Sequence, residues 1–166
     1  MPCPADLRDR LAACTKDVPQ FNFAGQNFYA RVIKAYDADT LTLAFDVQGK
    51  LYKLQSRLIG LDTPEMKSKS LQEHDLAVRA RDYVASWLSP DFIVGGKYSE
   101  KQIAEVLWRK PTIVFVKCQE LDKYGRLLIE VYADADVTPS LNQLLIRDGH
   151  ADAYDGGTKV RSWGKV

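Results

Sequence analysis

The tightest constraint on this chain lies at Arg57 to Glu65, R-L-I-G-L-D-T-P-E. A strand-like apolar run through Leu58, Ile59 and Leu61 ends there at Thr63-Pro64. Proline fixes its own φ and biases the preceding residue away from helix, so the chain must leave in an extended bend. One permanent cation, Arg57, and two carboxylates, Asp62 and Glu65, crowd the same short stretch. Charged groups where a buried strand meets a turn are costly unless an anion, a metal ion or both make use of them. A regular strand would also send Arg57 and Asp62, an odd number of positions apart, to opposite faces. The strand is therefore expected to bulge or break between them, which Gly60 would permit.

Around this block the pattern is mostly β. Phe28 to Tyr36 is rich in β-branched and aromatic residues. Thr40 to Phe45 alternates, with Leu41, Leu43 and Phe45 on one face and Thr40, Thr42 and Ala44 on the other. Gln48-Gly49 predicts a hairpin turn into a third strand, Leu51 to Leu61, and Thr112 to Cys118 and Leu127 to Tyr132 complete five strands. Ser70-Leu71-Gln72-Glu73 is spaced as a capping box, in which Ser70 accepts from the backbone and Glu73 reaches back. The helix it opens stops before Pro90. A last helix is expected after Thr138-Pro139, with Leu141, Leu144 and Leu145 inward and Gly149 at its end. Ala5 to Thr15 predicts a short amphipathic helix with Leu7, Leu11 and Ala12 on one stripe, and Glu100 to Trp108 another helix.

Length and composition allow one domain with a sizeable core: 166 residues, 46% hydrophobic and 27% charged. A formal net charge of +1 gives no whole-molecule argument for a polyanionic partner. The distribution is less even, with five basic and two acidic residues in Lys50 to Lys69 and seven and four in Lys97 to Arg126. Such a distribution also fits an ordinary solvated surface. Cys3, Cys14 and Cys118 have no zinc spacing and suit a reduced, intracellular chain. The N-terminal residues lack a signal-peptide core, and no segment is apolar enough to span a membrane.

Two further segments carry the chemistry of the first. Tyr36 to Thr40, Y-D-A-D-T, and Asp122 to Arg126, D-K-Y-G-R, each join two strand-like runs. With all three in this order, the chain resembles the staphylococcal nuclease-like (thermonuclease) family over roughly Asn27 to Tyr154. The resemblance implies a mainly β fold with helices (α+β), a five-stranded OB-like barrel with flanking helices. It divides the chain into an N-terminal extension over 1–24, a nuclease-like domain over 25–155 with an insertion around 91–110, and a flexible tail over 156–166. The longer helical C-terminus of relatives is expected to be missing, with the N-terminal helix or the insertion covering the barrel instead.

By resemblance, Arg57 and Arg126 clamp a phosphate, Glu65 acts as general base, and Asp39, Asp62 and the Thr63 carbonyl hold Ca²⁺. Lys123 and Tyr124 would contact a terminal phosphate, and Tyr154 would lie near a base. The residue types fit: an Arg fork donates two parallel hydrogen bonds to a phosphate, and hard oxygens suit Ca²⁺. Each residue also has a plainer account, as a surface ion pair for either Arg, a turn former for Asp37 and Asp39, a helix-start or surface residue for Glu65, and a core cap for Tyr154. Ala38 stands where relatives usually have Gly, and a positive φ there would cost about 1 kcal/mol. His74 and His150 have no Ser or Cys partner to form a triad. The implied activity is Ca²⁺-dependent hydrolysis of DNA and RNA at the 5′ P–O bond, leaving 3′-phosphate ends, by a monomer with no protein partner. The alternative is a catalytically silent barrel that binds nucleic acid or protein.

Overall fold

The computed structural model describes residues 2–157 and residue 163. After a short helix α1 (Ala5–Ala12), strands β1 (Asn27–Ala35), β2 (Thr40–Val47) and β3 (Lys50–Leu58) form an antiparallel meander. β2 buries Leu41, Leu43 and Phe45 and leaves Thr42 and Ala44 half-exposed on the other face. Its turn to β3 has two central residues, Gln48 and Gly49, at φ 54° and 79°. Two positive φ values are type I′ geometry, which matches the twist of paired strands.

β3 stops at Leu58 instead of running on to Leu61, because the chain turns at Ile59-Gly60 with Gly60 at φ 82°. A two-residue strand β4 (Leu61–Asp62) follows. The Ile59 carbonyl, which would otherwise continue the ladder, accepts from Asn142 Nδ2 at 2.9 Å. Next come α2 (Leu71–Leu88), α3 (Glu100–Arg109), β5 (Thr112–Leu121) and β6 (Leu127–Tyr132). β6 pairs in parallel with β3, which needs a long crossover, and antiparallel with β5. β5 pairs back onto β1, closing the barrel in the order β1-β2-β3-β6-β5. This is the α+β, five-stranded barrel with flanking helices expected from the sequence. Val32, Leu43, Val116, Ile129 and Val131 are fully buried inside it. Helix α4 (Leu141–Arg147) adds Leu141 and Leu145 to the core, and β7 (Asp152–Ala153) returns to pair with β4.

Helix α3 belongs to the expected insertion and covers the barrel through Ile103 and Leu107, both fully buried. The Asp82 carboxylate fastens the segment before it, accepting from Lys97 N at 2.7 Å and Tyr98 N at 3.1 Å. Helix α1 covers nothing: none of its residues is buried, and Leu7 and Leu11 are 40% and 62% exposed. Its stripe is too narrow to outweigh the entropy of docking. Removing residues 2–20 is therefore expected to leave Tm within about 1 °C of the full chain, less than the roughly 2–4 °C that 1 kcal/mol of lost packing would shift. Differential scanning calorimetry of the two proteins checks this. Most of the tail over 156–166 lies outside the described residues; Trp163, which is described, is buried. Among the described residues no helix is long and apolar enough to cross a membrane.

Candidate active site

One open cavity of about 700 Å³ is lined by residues from five separate parts of the chain. The β1–β2 turn contributes Asp37 and Asp39, the end of β3 contributes Arg57, and β4 with the bend after it contributes Asp62, Thr63, Pro64 and Glu65. The β5–β6 hairpin adds Asp122, Lys123, Tyr124 and Arg126, and the chain after β7 adds Tyr154. All nine residues singled out from the sequence thus face the same space.

The break in β3 brings Arg57 and Asp62 to one cavity despite their odd separation. The β4–β7 pairing, Leu61 opposite Ala153 and Asp62 opposite Asp152, holds the stretch beyond the break. The same turn receives Tyr154, whose N–H donates to the Gly60 carbonyl at 3.0 Å. The Tyr154 hydroxyl donates to the Gly157 carbonyl at 2.9 Å.

Arg57 Nη1 lies 3.1 Å from Asp39 Oδ2, and its Nη2 donates to the Leu61 carbonyl at 3.3 Å. The pair is mostly buried, which orients the fork while leaving further N–H donors for an anion. Asp39 is 6% exposed and Asp62 8%. Asp39 Oδ1 also accepts from the Thr40 hydroxyl at 2.8 Å, and its carbonyl accepts from Leu58 N at 2.8 Å.

Asp37 is more than a turn former. It does make the turn bond, Oδ1 accepting from Asp39 N at 3.2 Å. It also faces the cavity, where burial and the neighbouring Asp39 charge push its carboxyl up to about 7. The turn does not use a left-handed residue: Ala38 has no positive φ, and its methyl is buried in the core. The strain expected from Ala in place of Gly is absent.

The first turn of α2 holds the Glu65 loop from behind. Ser70 caps the helix by accepting from Glu73 N at 3.3 Å, but Glu73 does not reach back to close the box. Its carboxylate instead accepts from Ser68 Oγ at 2.6 Å and from Glu65 N at 3.2 Å. His74 Nδ1 adds a 2.9 Å contact to the Met66 carbonyl. Glu65 itself is exposed toward solvent with its backbone secured.

Asp122, which opens the D-K-Y-G-R motif but was given no role of its own from the sequence, organises the opposite wall. It accepts from Tyr124 N at 2.8 Å, Arg126 N at 2.9 Å and Arg126 Nε at 2.7 Å. Burial works against its charge, but these N–H donors outweigh burial and hold its pKa below the ordinary value. Gly125, at φ 79°, makes the turn that sets Arg126 back toward Asp122. Lys123 and Arg126 both lie over the Tyr124 ring, at 5.1 and 5.6 Å, and Tyr124 is 72% exposed.

Five carboxyl groups face three basic side chains across this cavity. The surplus of hard oxygen, two of the groups on buried Asp39 and Asp62, fits a divalent cation of the Ca²⁺ or Mg²⁺ type. No three Asp, Glu, His or Cys side chains converge on one point among the described residues. A cation here would therefore complete its shell with the Thr63 carbonyl, water or a ligand's oxygens. Matched against family models, residues 55–162 fit the one described as staphylococcal nuclease homologue, a span that takes in every named wall except the Asp37–Asp39 turn.

Proposed function

Since this chain belongs to the staphylococcal nuclease homologue family, we propose that it is a Ca²⁺-dependent nuclease hydrolysing DNA and RNA. One observation carries the reading: Arg57, Arg126, Glu65, Asp39 and Asp62, drawn from three separate stretches of the sequence, line one cavity. A phosphodiester seated there accepts parallel hydrogen bonds from the Arg57 and Arg126 forks. Asp39, Asp62 and the Thr63 carbonyl would hold Ca²⁺, which would supply positive charge to offset that of the phosphate.

Glu65 takes a proton from the attacking water as the water oxygen bonds to phosphorus. The bond from phosphorus to the 5′ oxygen breaks, the 5′ oxygen gains a proton from solvent, and a 3′-phosphate end remains. As charge builds on the equatorial oxygens, the two guanidinium groups bind it more strongly than they bind the ground state. Lys123 and Tyr124 reach a terminal phosphate, and Tyr154 offers a sequence-tolerant stacking surface for a base.

Single-stranded DNA digested with Ca²⁺ is expected to yield 3′-phosphorylated products, and chelator is expected to stop the reaction. End-group analysis by mass spectrometry reads the products. Binding without cleavage under both conditions would favour a silent barrel instead.

A further inference from the structure

The insertion builds a second surface that the cavity chemistry does not use. At the end of α3, Trp108 is 67% exposed yet firmly held. Arg31 of β1 donates from Nη2 to the Trp108 carbonyl at 2.9 Å, and its guanidinium carbon lies 4.7 Å from the indole centroid. A cation stacked on an indole fixes the ring, and the exposed area remains open to a second stacking partner. Beside it runs a shallow groove of about 560 Å³, lined by Ile33, Lys101, Ala104, Glu105, Trp108 and Arg109. Lys101 is 86% exposed and only loosely paired with Glu105, at 4.0 Å. Arg109, also exposed, spends its Nε on the Glu105 carbonyl at 3.4 Å and keeps its other donors.

One trough thus holds a pinned indole, an apolar floor and two cations against one carboxylate. Bases stacking on an aromatic ring while cations track phosphates is the pattern of single-strand binding. β1 links this trough to the cavity, running from Arg31 to Ala35 and on through Tyr36 to Asp37. At the rise of an extended chain that path is about 20 Å. A polynucleotide cut at the cavity has phosphates and bases to spare at that distance.

We infer that the α3–β1 groove is a subsite for single-stranded nucleic acid, stacking a base on Trp108 and binding phosphates through Lys101 and Arg109. It rests on the nuclease reading for its ligand class and adds a preference for long strands over short ones.

Fluorescence anisotropy in chelator measures binding apart from cleavage, using labelled oligothymidylate of about twenty nucleotides and a labelled dinucleotide. Trp108→Ala is expected to lower the ratio of long to short affinity about tenfold, with Trp108→Tyr restoring most of it. Replacing Lys101 and Arg109 by Gln together, at exposed positions where folding is not at stake, should flatten the log–log salt dependence for the long strand by about 1.4. Unchanged ratios and slopes in these variants overturn the subsite. So does a Trp108→Ala effect confined to self-association in sedimentation, which would make this face a contact between copies. Intact long-strand preference without cleavage in Ca²⁺ would refute the nuclease reading and keep the subsite, whereas normal cleavage with unchanged ratios would do the reverse.

Discussion

Replacing Glu65 with Gln is expected to cut turnover on single-stranded DNA about a hundred- to ten-thousandfold, the usual worth of a positioned general base. The substitution keeps size and polarity and removes the capacity to take a proton. The Glu65 loop is also held through the backbone by Glu73 and His74, which the substitution leaves in place. Single-turnover kinetics at saturating oligonucleotide isolates the chemical step. A nucleoside bisphosphate analogue should still bind, since the Arg57 and Arg126 forks are untouched. Equal single-turnover rates for the two proteins would remove Glu65 from the mechanism.

Arg126→Ala should cost about a hundred- to a thousandfold, as loss of one preorganised donor to a developing anion does elsewhere. Lys at this position is expected to recover little, because a point charge cannot reproduce a planar two-pronged contact. Stability should fall by about 1 kcal/mol, the net worth of one hydrogen bond, although the Arg126–Asp122 pair is mostly buried. Asp122 also keeps two backbone donors after the substitution, from Tyr124 and Arg126. A fall in kcat with Tm nearly constant is therefore the expected signature. Full activity in a folded Arg126→Ala protein would take the second guanidinium out of the proposed phosphate clamp.

Much of the architecture was legible locally. The period-two alternation of Thr40 to Phe45 and the positive-φ demand met at Gln48-Gly49 act over a few residues, so composition reports them directly. The helix ends were legible too, although Ser70 to Glu73 shows the limit of such signals. The spacing of a capping box was present, but a nearer hydroxyl at Ser68 and the Glu65 N–H took the carboxylate. A motif states which bonds are feasible; competing partners in space decide which are made. The amphipathic stripe of α1 misled in the same way, because a stripe says only that a helix could bury a face.

The supporting residues were hidden for a different reason. Asn142 bridges the Ile59 and Ile129 carbonyls and accepts from Val131 N, joining α4 to the broken strand and its parallel neighbour. A buried polar side chain earns its place through partners distant in sequence, and nothing beside it announces them. The two-residue pairing of β4 with β7 is too short to leave any periodic trace.

By itself the amino-acid order determined where the chain extends, coils and turns, and it supplied the stock of fixed cations and hard oxygens from which a phosphate site can be assembled. Only the closed barrel decided that Arg57 and Asp62 share a wall, that Asp39 meets Arg57 at 3.1 Å, and that Asp37 is crowded enough to hold its proton near neutrality. Backbone preferences act over a few bonds, whereas charge proximity and desolvation exist only once remote segments have been brought together.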